Sequence, residues 1–171
     1  MQKLKILPSI ITALMALTLT SCSTTTAEQY EATALTSYTW QVKYGNNLTS
    51  QPQPRIETFA NTSMLNRNGL KPPGAVVGPD DQGLWWPTLP PRPSIDEVEQ
   101  RKRPQEEAGK PELVKDVKYN LTYGVGNTQQ TLPTNYDVYR QVVKAYPQRT
   151  PLELTLGVND NSVEKAEPVS K

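Results

Sequence analysis

The side chains that could do chemistry in this sequence are few, because its 171 residues include no histidine and Cys22 is its only cysteine. Without histidine the chain cannot build a Ser-His-Asp or Cys-His nucleophile, a histidine-ligated zinc site or a histidine proton shuttle. With one thiol it can form neither an intrachain disulfide nor a cysteine cluster for a metal. Only carboxylate, Ser, Lys or Tyr chemistry remains, so we expect a non-catalytic protein that needs no cofactor or metal.

Two pairs of neighbouring carboxylates are the remaining candidates for acid-base or metal chemistry. They are Asp80 with Asp81, in a loop rich in proline and glycine, and Glu106 with Glu107. Calcium takes six to eight oxygen ligands at close spacing, and neither loop supplies them. We interpret both pairs as solvated turn residues. A two-carboxylate hydrolase stays open as an alternative, because such carboxylates meet only in space.

Trp85 and Trp86 lie in the most unusual stretch of the chain, where residues 72–111 hold nine of the 16 prolines. Successive side chains of an extended chain point to opposite sides. One indole could therefore pack on the protein while the other, with Arg92, contacts a sugar, a lipid headgroup or a partner protein. The alternative, which we favour in a chain so poor in aliphatic residues, is that the stretch wraps its own domain and buries both indoles.

Residues 1–22 have the layout of a secretory signal: a basic start, an apolar run and then small residues. The apolar run is shorter than the roughly 20 residues that a membrane-spanning helix needs. The last four residues, Leu19-Thr20-Ser21-Cys22, resemble the lipobox of bacterial lipoproteins, the signal that signal peptidase II cleaves. The resemblance implies cleavage between Ser21 and Cys22, a diacylglycerol on the Cys22 sulfur, and an acyl chain such as palmitate on its amino group.

Lipidation at Cys22 makes the membrane the first expected partner, because each buried CH₂ of an acyl chain contributes about 0.8 kcal/mol. Ser23, in place of an aspartate after the cysteine, resembles the pattern that sorts such proteins to the outer membrane. We therefore expect a location in the cell envelope, at the periplasmic face of the outer membrane rather than at the inner membrane. The near balance of 18 basic and 17 acidic residues argues against nucleic acid.

Changes in composition divide the chain into a signal and five further segments. They are a signal peptide at 1–21, a polar tether at 22–29, an N-terminal strand region at 30–70, a proline-rich strap with a short helix at 71–112, a compact module at 113–158 and a polar tail at 159–171. Within the strap, a capping box at Ser94 and Glu97 predicts a short helix over 95–103.

The compact module has the clearest periodicity. Strict alternation over 117–125 predicts a strand, and Gly126-Asn127 predicts a turn into a return strand over 128–132. An apolar stripe at helical spacing predicts a helix over 135–146, which a second capping box at Thr134 and Asp137 would open. Alternation over 152–158 predicts a closing strand.

These elements predict an α+β fold, in which a small mixed or antiparallel sheet is covered by one main helix and carries a proline-rich strap. The body, from Leu84 to Glu97, resembles uncharacterised lipoproteins of photosynthetic bacteria, which implies no function. We expect a lipid-anchored adaptor, assembly or structural protein that contacts a protein partner in the envelope. The alternative is a ligand-binding lipoprotein that recognises a carbohydrate or cell-wall fragment through Trp85 and Trp86.

Overall fold

The structure is a computed structural model that describes residues 23–46, 53–75 and 77–169. The predicted signal peptide, with Ser21 and Cys22 at its cleavage point, lies outside the described residues. Within the described ranges, no helix has the length and apolarity needed to cross a membrane.

Eight strands and two α-helices form in the part of the chain that the structure describes. The strands are β1 (Thr24–Ala27), β2 (Tyr30–Gly45), β3 (Arg55–Arg67), β4 (Glu107–Ala108), β5 (Glu112–Val125), β6 (Thr128–Thr134), β7 (Leu152–Leu156) and β8 (Val163–Pro168), the helices are α1 (Ile95–Gln100) and α2 (Tyr136–Ala145), and 3-10 turns lie at Tyr146–Gln148 and Val158–Asp160.

All eight strands belong to one sheet, in the order β1-β7-β8-β6-β5-β2-β3, with β4 beside β2. Every pair is antiparallel except β6 and β8, which run parallel. This architecture corrects the α+β prediction: the fold is dominated by its sheet, and α2 is its one main helix. The prediction was wrong because β1 and β8 are built mostly of polar residues and show too little apolar alternation to be counted as strands, and because β3 is longer than its weak alternation indicates.

The sheet closes on itself. β1 and β2 are joined by two residues only, so their adjoining ends, Ala27 and Tyr30, are at most about 11 Å apart. In a flat sheet, the five strand spacings between them would separate them by about 24 Å. The backbone N–H of Gly124 in β5 also bonds Gln29 O at 3.0 Å, directly before β2. β1 and β2 therefore follow one bent path, and together they form a small, partly open barrel with β5, β6, β7 and β8.

Helix α2 packs on the barrel core, which is made mostly of small and medium side chains together with three tyrosines. This core contains Ala27, Tyr30, Ala32, Ala34, Leu84, Leu121, Tyr123, Val138, Tyr139, Val142, Ala145, Leu152, Leu154, Leu156, Val163 and Ala166.

Strand β2 extends beyond the barrel as an arm that it forms with β3 and the first half of β5. Its 16 residues span about 50 Å at the rise of a β-strand. The even-numbered residues of β2 face one side, which we call the inner face; α2 covers it at the barrel, then the strap, then α1 through Val98. The odd-numbered residues form the opposite, outer face, where most side chains are partly exposed.

Two polar segments differ from the sequence-based expectation. Residues 24–27, predicted as part of a tether, form β1 and bury Ala27, while residues 163–168, predicted as tail, form β8 and bury Val163 and Ala166. Each strand buries so few residues that only its long-range pairing identifies it. The capping box of Ser94 and Glu97 is confirmed.

The second capping box is wrong. The side chain of Asn135 caps α2 by accepting from Val138 N at 3.0 Å, while the Thr134 hydroxyl donates to Val163 O at 2.6 Å. Thr134 is still the last residue of β6, so its side chain serves the contact between β6 and β8 rather than the helix.

Candidate binding surface

One buried side chain, that of Asn66 in β3, fixes the strap to the inner face. Its amide group donates to Trp85 O at 3.0 Å and to Ala34 O at 3.2 Å, and its Oδ1 accepts from Trp85 N at 2.8 Å. The Thr36 hydroxyl donates to the same Trp85 O at 2.8 Å. Asn66 and Thr36 are fully buried. The backbone of Trp85 is therefore held by β2 and β3 together.

Trp86 is buried against β2. Its ring centroid lies 5.0 Å from that of Tyr38, and its Nε1 donates to Asp80 Oδ2 at 2.7 Å. Asp80 Oδ1 accepts from the backbone N–H groups of Gln82 and Leu84 at 3.0 and 2.9 Å. Asp80 thus organises the turn that brings the strap down onto the sheet, and all of these bonds use its carboxylate.

Trp85, the neighbouring indole, is half-buried. The ammonium of Lys71 lies 5.2 Å from its ring centroid, a cation-π contact. The two adjacent indoles thus differ in environment: Trp86 belongs to the interior of the arm, and Trp85 keeps part of its ring at the surface.

Two further cations stand over aromatic rings along the strap. Lys115 Nζ lies 5.3 Å from the ring centroid of Tyr38 and 5.2 Å from that of Trp86. The guanidinium carbon of Arg92 lies 5.7 Å from the ring of Trp40, whose Nε1 donates to Pro90 O at 2.9 Å. Both cations are exposed. The rings restrict their positions while leaving the charges accessible.

The far end of the arm is held by an ion-pair cluster. Arg55 donates to both carboxylate oxygens of Glu106, at 3.0 and 2.6 Å, and also pairs with Glu57. The hydrogen bond from Arg55, followed by one from the Arg103 backbone N–H, lowers the pKa of Glu106 to about 2. Because Glu106 is committed to this cluster, its carboxylate has a structural role.

A groove of about 630 Å³ opens beside α1. Its apolar lining includes Pro93, Ile95, Val98, Ala108 and Pro111, and Arg92, Glu99 and Lys110 also line it. Ile95 is 81% exposed although it is the most apolar residue of the helix. The groove therefore combines an apolar lining with two basic side chains and one acidic side chain. It lies next to the part of the strap where Arg92 stands over Trp40.

The structure brings Trp85, Trp86 and Arg92 onto one face of the arm, whereas Ser21 and Cys22 lie outside the described residues. Sequence reasoning missed Asn66 and Lys115. Asn66 looks like one of several polar residues of a weak strand, and Lys115 precedes the alternating run that predicted β5. The register that pairs Tyr38 with Lys115 is a long-range property that no local pattern encodes.

Among the described residues, no group of three or more His, Cys, Asp or Glu side chains could hold a metal ion. Comparison of the chain with protein-family models, with curated proteins and with solved structures found no match.

Proposed function

We propose that the protein is a lipid-anchored cell-envelope protein with a non-catalytic adaptor, assembly or structural role toward a membrane-associated partner. The lipobox at 19–22 is the basis of the anchor. The observation that carries the proposal is the position of Ser23: its carbonyl accepts from Leu156 N at 2.8 Å, and its hydroxyl donates to Asp160. Acyl chains on the preceding residue would hold the barrel directly at the bilayer, with no tether between them.

The arm supports the adaptor role. β1 and β2 run one after the other in the same direction. Ser23 lies just before β1, so the C-terminal end of β2 lies at the other end of this path. An anchor beside Ser23 would then leave the strap and α1 directed away from the lipid surface. A protein that is fixed at one end and presents an exposed cationic and apolar surface toward the other is suited to holding a partner near a membrane.

The alternative function, recognition of a carbohydrate or cell-wall fragment through Trp85 and Trp86, is supported by the half-buried ring of Trp85. The 6% exposure of Trp86 removes the second stacking platform. A thermal shift with muropeptides or sugars that disappears in Trp85→Ala would favour this alternative over the adaptor role.

The anchor is tested by mass spectrometry of the mature protein. We expect an N-terminus at Cys22 that carries diacylglycerol and an amide-linked acyl chain, and we expect Cys22→Ser to stay unprocessed and unlipidated. Ser21→Ala keeps a small residue before the cysteine and is the matched control. An unmodified N-terminus that begins elsewhere contradicts the anchor.

The adaptor role is tested by photo-crosslinking in native membranes. A photoreactive residue at Leu89 of the strap, 52% exposed, should capture a stoichiometric membrane-associated protein. The same residue at Val125 of the barrel, 43% exposed, should not capture that protein. Failure to crosslink any such protein from Leu89 rejects the adaptor role.

A further inference from the structure

We propose that the strap binds an extended, acidic segment of a partner protein, which runs past Lys115 and Arg92 and inserts an apolar side chain into the groove beside α1. This inference rests on the proposed adaptor role, because it names the surface and the chemistry through which that role is carried out. It is argued from the charge, spacing and apolar lining of the described residues.

The cations along this path are free of ion pairs with the described residues. Lys115, Arg92 and Lys110 have no carboxylate within salt-bridge distance in the part of the chain that the structure describes, and three of the carboxylates near them are engaged with other groups. Asp80 accepts hydrogen bonds from Trp86 and two backbone amides, Glu99 pairs with Lys102 at 2.6 Å, and Glu112 pairs with Lys43 at 2.8 Å. The neighbouring Asp116 alternates to the outer face, opposite Ser37. The path therefore offers three cations, Lys115, Arg92 and Lys110, that have no ion-pair partner among the described residues.

The spacing of the cations fits an extended peptide. Lys115 stands over Tyr38 and Arg92 over Trp40, and these rings are two residues apart on β2. Two residues of a strand span about 7 Å, which is also the distance between side chains i and i+2 of an extended partner. Carboxylates at alternate positions of such a partner would meet the two cations in turn. Because aromatic rings restrict both cations, binding orders little additional side-chain freedom.

The groove supplies the second element of recognition. It continues from Arg92 toward Lys110, and its wall includes the 81% exposed Ile95 together with Pro93 and Pro111. An apolar side chain of the partner, placed beyond its carboxylates, would cover Ile95. The apolar contact selects for a peptide with side chains of both kinds and against a polymer that carries charge alone.

The test is a fluorescence-anisotropy titration of the purified full chain, as isolated from cells, with short labelled peptides at about 0.15 M salt, where the Debye length is about 8 Å. The first peptide alternates threonine with aspartate and then threonine with leucine, the second replaces aspartate with lysine, and the third replaces leucine with threonine. We expect the first to bind and to weaken about tenfold or more in Lys115→Glu and in Arg92→Glu. The lysine peptide should not bind, and the peptide without leucine should bind more weakly.

Lys118→Glu is the matched control, because it makes the same charge change on the outer face of the same strand, opposite Leu35. It should leave the affinity unchanged within about twofold, since exposed charges separated by more than a Debye length are largely screened. Circular dichroism of each variant verifies that the fold is retained. In Ile95→Asp, the first peptide should lose its advantage over the peptide without leucine.

The inference is overturned if the wild-type chain does not bind the first peptide, if Lys118→Glu weakens binding as much as Lys115→Glu, or if an acidic polysaccharide of equal charge binds as tightly. The last result would show a surface for polyanions in general. The titration is read on purified protein, so it is independent of the lipidation and crosslinking tests. If the chain binds the peptide but is not lipidated, or captures no membrane-associated protein, the proposed function is contradicted. If the chain is lipidated and Arg92→Glu leaves crosslinking to its partner unchanged, only this inference is contradicted.

Discussion

Asn66→Ala should weaken the attachment of the strap to the arm, because this one side chain joins β3, β2 and the backbone of Trp85. The substitution removes the acceptor of Trp85 N–H, 2.8 Å away, and two donors, to Trp85 O and Ala34 O. The Thr36 hydroxyl still donates to Trp85 O. The Trp85 N–H group is therefore the one that loses its partner within the described structure.

The size of the effect follows from these bonds. A buried donor left without a partner costs about 1–3 kcal/mol, and each lost hydrogen bond contributes about 1 kcal/mol net. We expect the free energy of unfolding to fall by about 2–4 kcal/mol. With a urea m-value of about 2 kcal/mol/M, the middle of the usual range for small proteins, the midpoint should fall by about 1–2 M.

Urea denaturation followed by tryptophan fluorescence measures the effect, because the indoles of Trp85 and Trp86 report directly on the strap. Asn61→Ala is the matched control: Asn61 lies on the same strand, is exposed and makes one side-chain bond, to Thr39 Oγ1 at 2.6 Å. It should change the free energy of unfolding by no more than about 0.5 kcal/mol. Equal midpoints for the two variants would refute the assignment of Asn66 as the residue that holds the strap.

Two further measurements test the ion pair at the end of the arm and the packing of the turn after β3 on α2. Arg55 lowers the pKa of Glu106 from 4.5 to about 2, so the ion pair stabilises the fold above the pKa of the unfolded chain, and this stabilisation is lost as pH falls from about 4.5 toward 2. The urea midpoint of Glu106→Gln should therefore depend less on pH in this window than that of the wild type. Identical pH profiles would contradict the pair. Gly69→Ala should destabilise the fold by about 1–3 kcal/mol more than Gly74→Ala. Both glycines have positive φ, 72° and 76°, but only at Gly69 would the added Cβ lie 2.6 Å from Val143 Cγ1. Equal melting temperatures of the two variants would show that the chain relaxes around the clash.

Elements with a strong local signal could be predicted from the sequence. The strict alternation of 117–125 and the apolar stripe of 135–146 correspond to parts of β5 and to α2, and Ser94 with Glu97 fixed the start of α1. In each case a residue and its neighbours within a few positions determine the conformation, so a single sequence suffices.

Closure of the barrel could not be predicted, because it depends on pairs far apart in the chain. β1 pairs with β7 through residues such as Thr25 and Leu154, whose side chains carry no signal that they meet. β8 contributes only Val163 and Ala166 to the core. The candidate surface was predicted in part for the same reason: Arg92 lies in the conspicuous proline-rich stretch, whereas Lys115 reaches it only through the register of β2 and β5.

The strap packs into the core through Leu84, and this constrains how it could bind the proposed partner. A chain with few aliphatic residues fills its barrel core with small side chains such as Ala32 and Ala34, and it draws Leu84 of the strap into the same core. Trp86 and Tyr38 then form the interior of the arm, where few aliphatic side chains are present. Residues committed to packing cannot also adapt to a ligand without cost to stability. The indoles of the proline-rich stretch therefore support the fold, and the exposed cations held on the aromatic rings are the groups on which the proposed contact with a partner depends.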